Sequence, residues 1–62
     1  MEMYKLVVNV PEVQGEYCYN SRETALNLWF SWAALIFKSG KGHADLYEWD
    51  GDLHKYVLMV HS

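Results

Sequence analysis

The chain has 62 residues, a formal net charge of -3 and a single cysteine, so it is one small domain without an internal disulfide. Its five basic residues are scattered, which argues against direct binding of nucleic acid. A domain of this size is marginally stable, and its three Trp, five Tyr and two Phe residues and self-association are the remaining sources of stability.

The N-terminal sequence and the lone thiol indicate where the protein works. Met-Glu-Met-Tyr-Lys lacks the features of a signal peptide, and an unpaired cysteine suits a reducing compartment. The longest apolar run, residues 25–37, is too short to span a bilayer. We therefore expect a cytoplasmic protein that does not interact with membranes.

The first predicted element is a strand over residues 4–10, where apolar and other side chains alternate before Pro11. Residues 11–20 are then predicted as a long connecting loop. Tyr17 and Tyr19 make this loop unusually apolar. They either cover the core or form a ligand-binding surface.

The central element is a predicted helix that includes residues 25–37. Asn20 or Ser21 is suited to cap its N-terminus, and Glu23 in the first turn complements the helix dipole. Gly40 is well placed to end the helix in a left-handed conformation.

Apolar side chains cover well over half of the circumference of this helix. One side, which we call the tryptophan flank, carries Leu28, Trp32 and Leu35. The opposite side, the phenylalanine flank, carries Leu26, Phe30, Ala33 and Phe37, and Trp29 and Ile36 lie between the two flanks.

A sheet of a few short strands cannot cover both flanks, because a surface helix normally buries a stripe only somewhat wider than about 100°. Soluble monomers rarely leave a large apolar patch exposed. We therefore expect a homodimer with an interface formed by Leu28, Trp29, Trp32 and Leu35. The free edge of the first strand is a second route to pairing between copies.

The last two predicted elements are strands over residues 43–49 and 53–61, joined by a turn at Asp50-Gly51. The turn has two or three residues, and a three-residue loop is favoured because it sets Asp45 opposite Lys55. The apolar run over residues 56–60 indicates that the last strand lies in the middle of the sheet.

These elements predict an α+β domain of β-α-β-β order, residues 1–62. One helix packs on a three-stranded antiparallel sheet with strand order 1-3-2, in the manner of a split βαβ unit.

The hairpin end is the strongest candidate for a partner-binding surface. It combines an aromatic residue of a type enriched in binding hot spots with acids that would attract a basic surface: Glu48, Trp49, Asp50 and Asp52. The histidines lack a metal-ligand spacing, and no nucleophile has a recognisable partner, so we expect no metal, cofactor or enzymatic activity.

Together these features indicate a small acidic homodimer that binds and modulates another protein. Its size and composition are typical of the inhibitors of host machinery that phages and mobile elements encode. The alternative is a small-molecule binding module, with an aromatic pocket at the dimer interface formed by Trp29, Trp32, Tyr17 or Tyr19.

Overall fold

The computed structural model describes residues 2–62, which form four strands and one helix. In chain order these are β1 (Tyr4–Asn9), β2 (Gln14–Tyr19), α1 (Arg22–Ser39), β3 (His43–Asp50) and β4 (Lys55–His61). The strands form one antiparallel sheet in the order β2-β1-β3-β4, and α1 packs mainly across β1 and β3. The predicted α+β class, with one helix on an antiparallel sheet, is confirmed.

The predicted three-stranded sheet is wrong, because the predicted loop over residues 11–20 contains β2. Pro11 and Glu12 form the turn into this strand. Val10 and Val13 exchange backbone hydrogen bonds of 3.0 and 3.2 Å across the turn. Proline suits its first central position because the ring already holds the φ angle that the turn requires. Pro11 thus ends β1 and also sends the chain back along it.

The predicted strand order 1-3-2 is also wrong. β1 lies between β2 and β3 and has no free edge, whereas β4, expected in the middle, lies at an edge. The pairing of β1 with β3 sets Leu6 opposite Leu46 and Val8 opposite Ala44. These four side chains are almost completely buried. Burial of their apolar area therefore favours β3 as the neighbour of β1.

The register of the β3–β4 hairpin differs from the prediction as well. Its turn comprises residues 51–54, so it is longer than the expected two or three residues. Lys55 consequently pairs with Asp50, and Asp45, which was predicted to face Lys55, pairs with His61. The Asp50 carboxylate holds the longer turn by accepting two backbone N–H groups within it.

Both ends of α1 follow the sequence signals. Ser21 is the N-cap, and its hydroxyl oxygen accepts the backbone N–H of Thr24 at 3.3 Å. Asn20, the alternative cap, accepts the backbone N–H of Met3 instead. Gly40 has a φ of 72°, and its N–H donates a hydrogen bond of 2.7 Å into the last helical turn.

The core lies between α1 and one face of the sheet. Alternation along β1 and β3 directs every second side chain toward the helix. We call the opposite side of the sheet the open face, because α1 does not cover it. The buried residues are Tyr4, Leu6, Val8, Val10, Ala25, Ile36, Ala44 and Leu46.

Candidate interaction surfaces

The four residues predicted to bind a partner, Glu48, Trp49, Asp50 and Asp52, do not share one surface. Glu48 and Asp50 alternate with Trp49 along β3, so the two carboxylates lie on the helix side and the indole lies on the open face. Glu48 is 4.0 Å from Arg22 in the first turn of α1. Asp52 is exposed in the turn beyond the strand.

Asp50 has a structural role at the end of the hairpin. Its Oδ1 accepts the backbone N–H groups of Asp52 at 2.9 Å and Leu53 at 3.1 Å. His54 completes the turn with a φ of 52°, a conformation that few residues other than glycine adopt. We call residues 51–54 the hairpin tip. It presents an acid, an imidazole and Leu53, whose side chain is 58% exposed.

Trp49 belongs to an aromatic cluster on the open face rather than to the hairpin tip. Its ring meets the Tyr56 ring edge-on, with centroids 5.2 Å apart. The Lys5 ammonium lies 4.7 Å from the Tyr56 centroid and 5.6 Å from that of Tyr47, and its nitrogen is 3.7 Å from a carboxylate oxygen of Glu16. These contacts are favourable packing and cation–π geometries. Trp49 thus contributes to the packing of its own sheet.

The residues predicted for the dimer interface are largely engaged within the chain. Leu28, Trp29 and Trp32 pack, partly buried, against the core. The Trp29 indole N–H donates a hydrogen bond of 2.9 Å to the carbonyl oxygen of Ala44. Leu35 is the exposed member of the set.

The phenylalanine flank carries the most exposed aromatic surface of the described residues. Phe37 is 90% exposed and Phe30 is 62% exposed, whereas Leu26 and Ala33 are half-buried. The Phe30 ring meets the Trp29 ring edge-on, with centroids 5.1 Å apart. The periodicity of the sequence defines this flank, but it does not indicate which of the two flanks faces the sheet.

The predicted ligand-binding tyrosines occupy the helix side of β2, where they pair with residues of β1. Tyr19 is half-buried and packs against the core. Burial raises the pKa of the Tyr19 hydroxyl above its ordinary value, and the neighbouring Tyr17 and Cys18 raise the pKa further when they are charged. Tyr17 is more exposed, and its ring lies beside Gly15.

A half-open cleft of about 330 Å³ lies between the C-terminal half of α1 and the β1–β2 turn. It does not include Trp29, Tyr17 or Tyr19. Its wall is partly apolar and partly polar, and Glu12 and Lys41 bring charges to it. The lining residues are Val10, Pro11, Glu12, Trp32, Leu35, Ile36, Ser39 and Lys41.

His43 and Asp45 of β3 and His61 of β4 lie on the open face of the sheet. His43 Nδ1 lies 3.1 Å from Asp45 Oδ2, and His61 pairs with Asp45 from β4. Within residues 2–62, no three or more His, Cys, Asp or Glu side chains are placed to share a metal ion. The thiol of Cys18 is exposed.

Comparisons with models of protein families, with characterised proteins and with solved structures gave no match to this chain. No helix within residues 2–62 has both the length and the apolar character needed to cross a membrane.

Proposed function

We propose that this chain is a small, non-enzymatic interaction protein that acts in the cytoplasm as a homodimer and binds and modulates another protein. An inhibitor of host machinery encoded by a phage or mobile element is the form of this function that we favour. This proposal rests on the exposure of Phe30 and Phe37 on one flank of α1. Aromatic side chains in such positions contribute strongly to protein interfaces.

The hairpin tip is the surface that we assign to the partner. Asp52, Leu53 and His54 are exposed there, and the Asp50 carboxylate holds the turn in one shape. A preorganised turn loses little conformational entropy when it binds. The acidic character of the chain favours a partner with a basic surface. The tip and the phenylalanine flank belong to different elements, so one can bind the partner while the other mediates self-association.

The test is affinity capture from a host lysate with the tagged wild-type chain and two double variants. Asp52→Asn with Leu53→Ala removes the charge and the apolar group of the hairpin tip without changing Asp50. Glu12→Gln with Val13→Ala makes the same kinds of change in and beside the β1–β2 turn and is the matched control.

We expect the tip variant to lose at least about 90% of a captured protein that the control retains. That protein, identified by mass spectrometry, is then purified, and its activity is titrated with the wild-type chain. Equal capture by both variants, or an activity that does not respond to the chain, would contradict the proposal.

The cleft supports a second candidate function, the binding of a small molecule. Its volume of about 330 Å³ lies within the range of ligand pockets, and its wall combines apolar residues with polar ones. Native mass spectrometry of the gently purified chain should then detect a bound metabolite. Trp32→Ala should remove this mass and Trp49→Ala, on the open face, should retain it. Retention by both variants would place the ligand elsewhere.

A further inference from the structure

The contacts of α1 fix its rotation above the sheet. The Trp29 indole N–H donates a hydrogen bond to the carbonyl oxygen of Ala44 on β3, whereas Trp32 and Leu35 line the cleft beside the β1–β2 turn. Since β2 and β4 are at opposite edges, the tryptophan flank faces β2 and the phenylalanine flank faces β4. On β4, Val57 lies on the helix side of the sheet and is 40% exposed. The apolar surface therefore extends from the helix toward an edge strand.

The exposed aromatic residues are arranged symmetrically along this flank. Phe30 and Phe37 lie about two helical turns apart, and Ala33 and Ala34 lie midway between them. A two-fold axis through this midpoint would relate two antiparallel helices and place Phe30 of each copy against Phe37 of the other. The small alanines at the centre allow helix axes to approach to about 8–10 Å.

We propose that two copies of this chain associate by antiparallel packing of their phenylalanine flanks. This inference rests on the homodimer of the proposed function and assigns its interface to the opposite side of the helix from Leu28, Trp32 and Leu35. Each copy contributes the same surface, as the closed symmetry of a homodimer requires. The interface thus buries the Phe30 and Phe37 side chains, which the single chain leaves exposed to water.

The helix dipoles of α1 favour the antiparallel arrangement. Glu23 lies in its first turn and Lys38 in its last turn, while Arg22 in the first turn is near Glu48. Antiparallel packing opposes the two helix dipoles. With the two-fold axis between Ala33 and Ala34, Glu23 of each copy lies about 9 Å along the helix direction from Lys38 of the other, so these charges attract one another only at long range. A parallel pair would place like charges and like dipole ends side by side.

The available area also fits a second copy. Phe30 and Phe37 together expose about 300 Å². A stable interface buries roughly 800 Å² on each partner, about a fifth of the 4333 Å² that the chain exposes. The two rings are thus large enough to form the apolar centre of such an interface. Val57 and the polar residues around the flank would supply the remainder.

Disulfide trapping tests the geometry. In a Cys18→Ser background, Ala34→Cys places a thiol next to the proposed two-fold axis. The control Ser31→Cys places one roughly 100° or more round the helix from both phenylalanines, where it points away from the second copy. Under mild oxidation we expect the Ala34→Cys chain to become mostly covalent dimer, because the two thiols approach within bonding distance. The Ser31→Cys chain should remain mostly uncrosslinked.

The Cys18→Ser chain itself separates the possible outcomes by its sedimentation mass. A single-copy mass at about 100 μM would overturn both the homodimer of the proposed function and this interface. A two-copy mass would retain the homodimer. Failure of Ala34→Cys to crosslink, or equally fast crosslinking of Ser31→Cys, would then overturn the interface alone.

A charge placed on either flank gives an independent readout. Phe37→Asp alters a side chain that is 90% exposed, so the single chain should still fold. In the proposed dimer it buries an unpaired carboxylate, and we expect the dimer Kd to rise at least about 100-fold. Leu35→Asp, on the tryptophan flank, should leave the Kd within about threefold of its original value. The reverse pattern would assign the interface to the tryptophan flank and overturn the proposal.

Discussion

The two flanks of α1 are similar in composition but differ in what they contact. Leu28 and Trp32 of the tryptophan flank pack against the core, and Trp29 between the flanks places its indole N–H against the carbonyl oxygen of Ala44. The phenylalanine flank leaves Phe37 90% exposed. Phenylalanine has no polar group, so its ring cannot form a hydrogen bond to the sheet as the Trp29 indole does. The difference indicates that one side of the helix stabilises the single chain and the other is available for association.

The largest effect that we expect comes from two neighbours on α1 that differ in burial. Ile36 is almost completely buried, and Phe37 is almost completely exposed. Ile36→Ala should lower the free energy of unfolding by about 2–3 kcal/mol, because it removes apolar contacts and leaves a cavity. Phe37→Ala should change it by less than about 0.5 kcal/mol. Urea unfolding, measured at chain concentrations below the dimer Kd, provides both values.

The concentration dependence of the same measurement sharpens the comparison. Wild-type stability should rise with chain concentration, since association stabilises the folded chain. The Phe37→Ala chain should lose most of this rise, whereas Ile36→Ala should keep it. A large loss of stability in the dilute Phe37→Ala chain would contradict the assignment of separate roles to the two flanks.

A smaller effect tests the polar contact beneath the helix. Trp29→Phe removes the indole N–H donor and some ring volume, and it should lower the free energy of unfolding by about 1–2 kcal/mol. The Ala44 carbonyl oxygen also accepts the backbone N–H of Ser62, so the substitution does not leave it without a partner. Trp49→Phe, on the open face, is the matched control and should cost less. Equal losses of stability in the two variants would show that the Trp29 hydrogen bond contributes nothing to the free energy of unfolding.

The sequence was most informative about α1. Caps, dipole charges and the αL glycine act through local geometry, and the structure places Ser21 and Gly40 in those roles. Side chains also alternate over residues 14–19, but the prediction assigns Pro11 only to the end of a strand. Proline is equally suited to a turn that joins two strands. The missed β2 in turn made β1 appear to be an exposed edge.

The orientation of α1 was beyond prediction because it depends on contacts between distant segments. Both flanks offer leucine and aromatic side chains, so periodicity alone cannot select the one that faces β2. The loop after the helix supplies one constraint. Gly42 has a φ of 88°, and a Cβ atom built on it would lie 2.5 Å from the carbonyl oxygen of Asn9. This close approach fixes where the chain leaves α1 for β3, and no short motif encodes it.

The smallest effect compares two tyrosines on the helix side of β2. Burial raises the pKa of Tyr19 in the folded chain above its ordinary value. The stability associated with the neutral hydroxyl is fully present below the unfolded-state pKa of Tyr19, and it is lost as pH rises through the folded-state pKa. Urea unfolding between pH 9 and about 11 should therefore show declining stability. Tyr19→Phe should reduce this decline, whereas Tyr17→Phe should leave most of it. An identical decline in the wild type and both variants would mean that Tyr19 is as well hydrated in the folded chain as in the unfolded one.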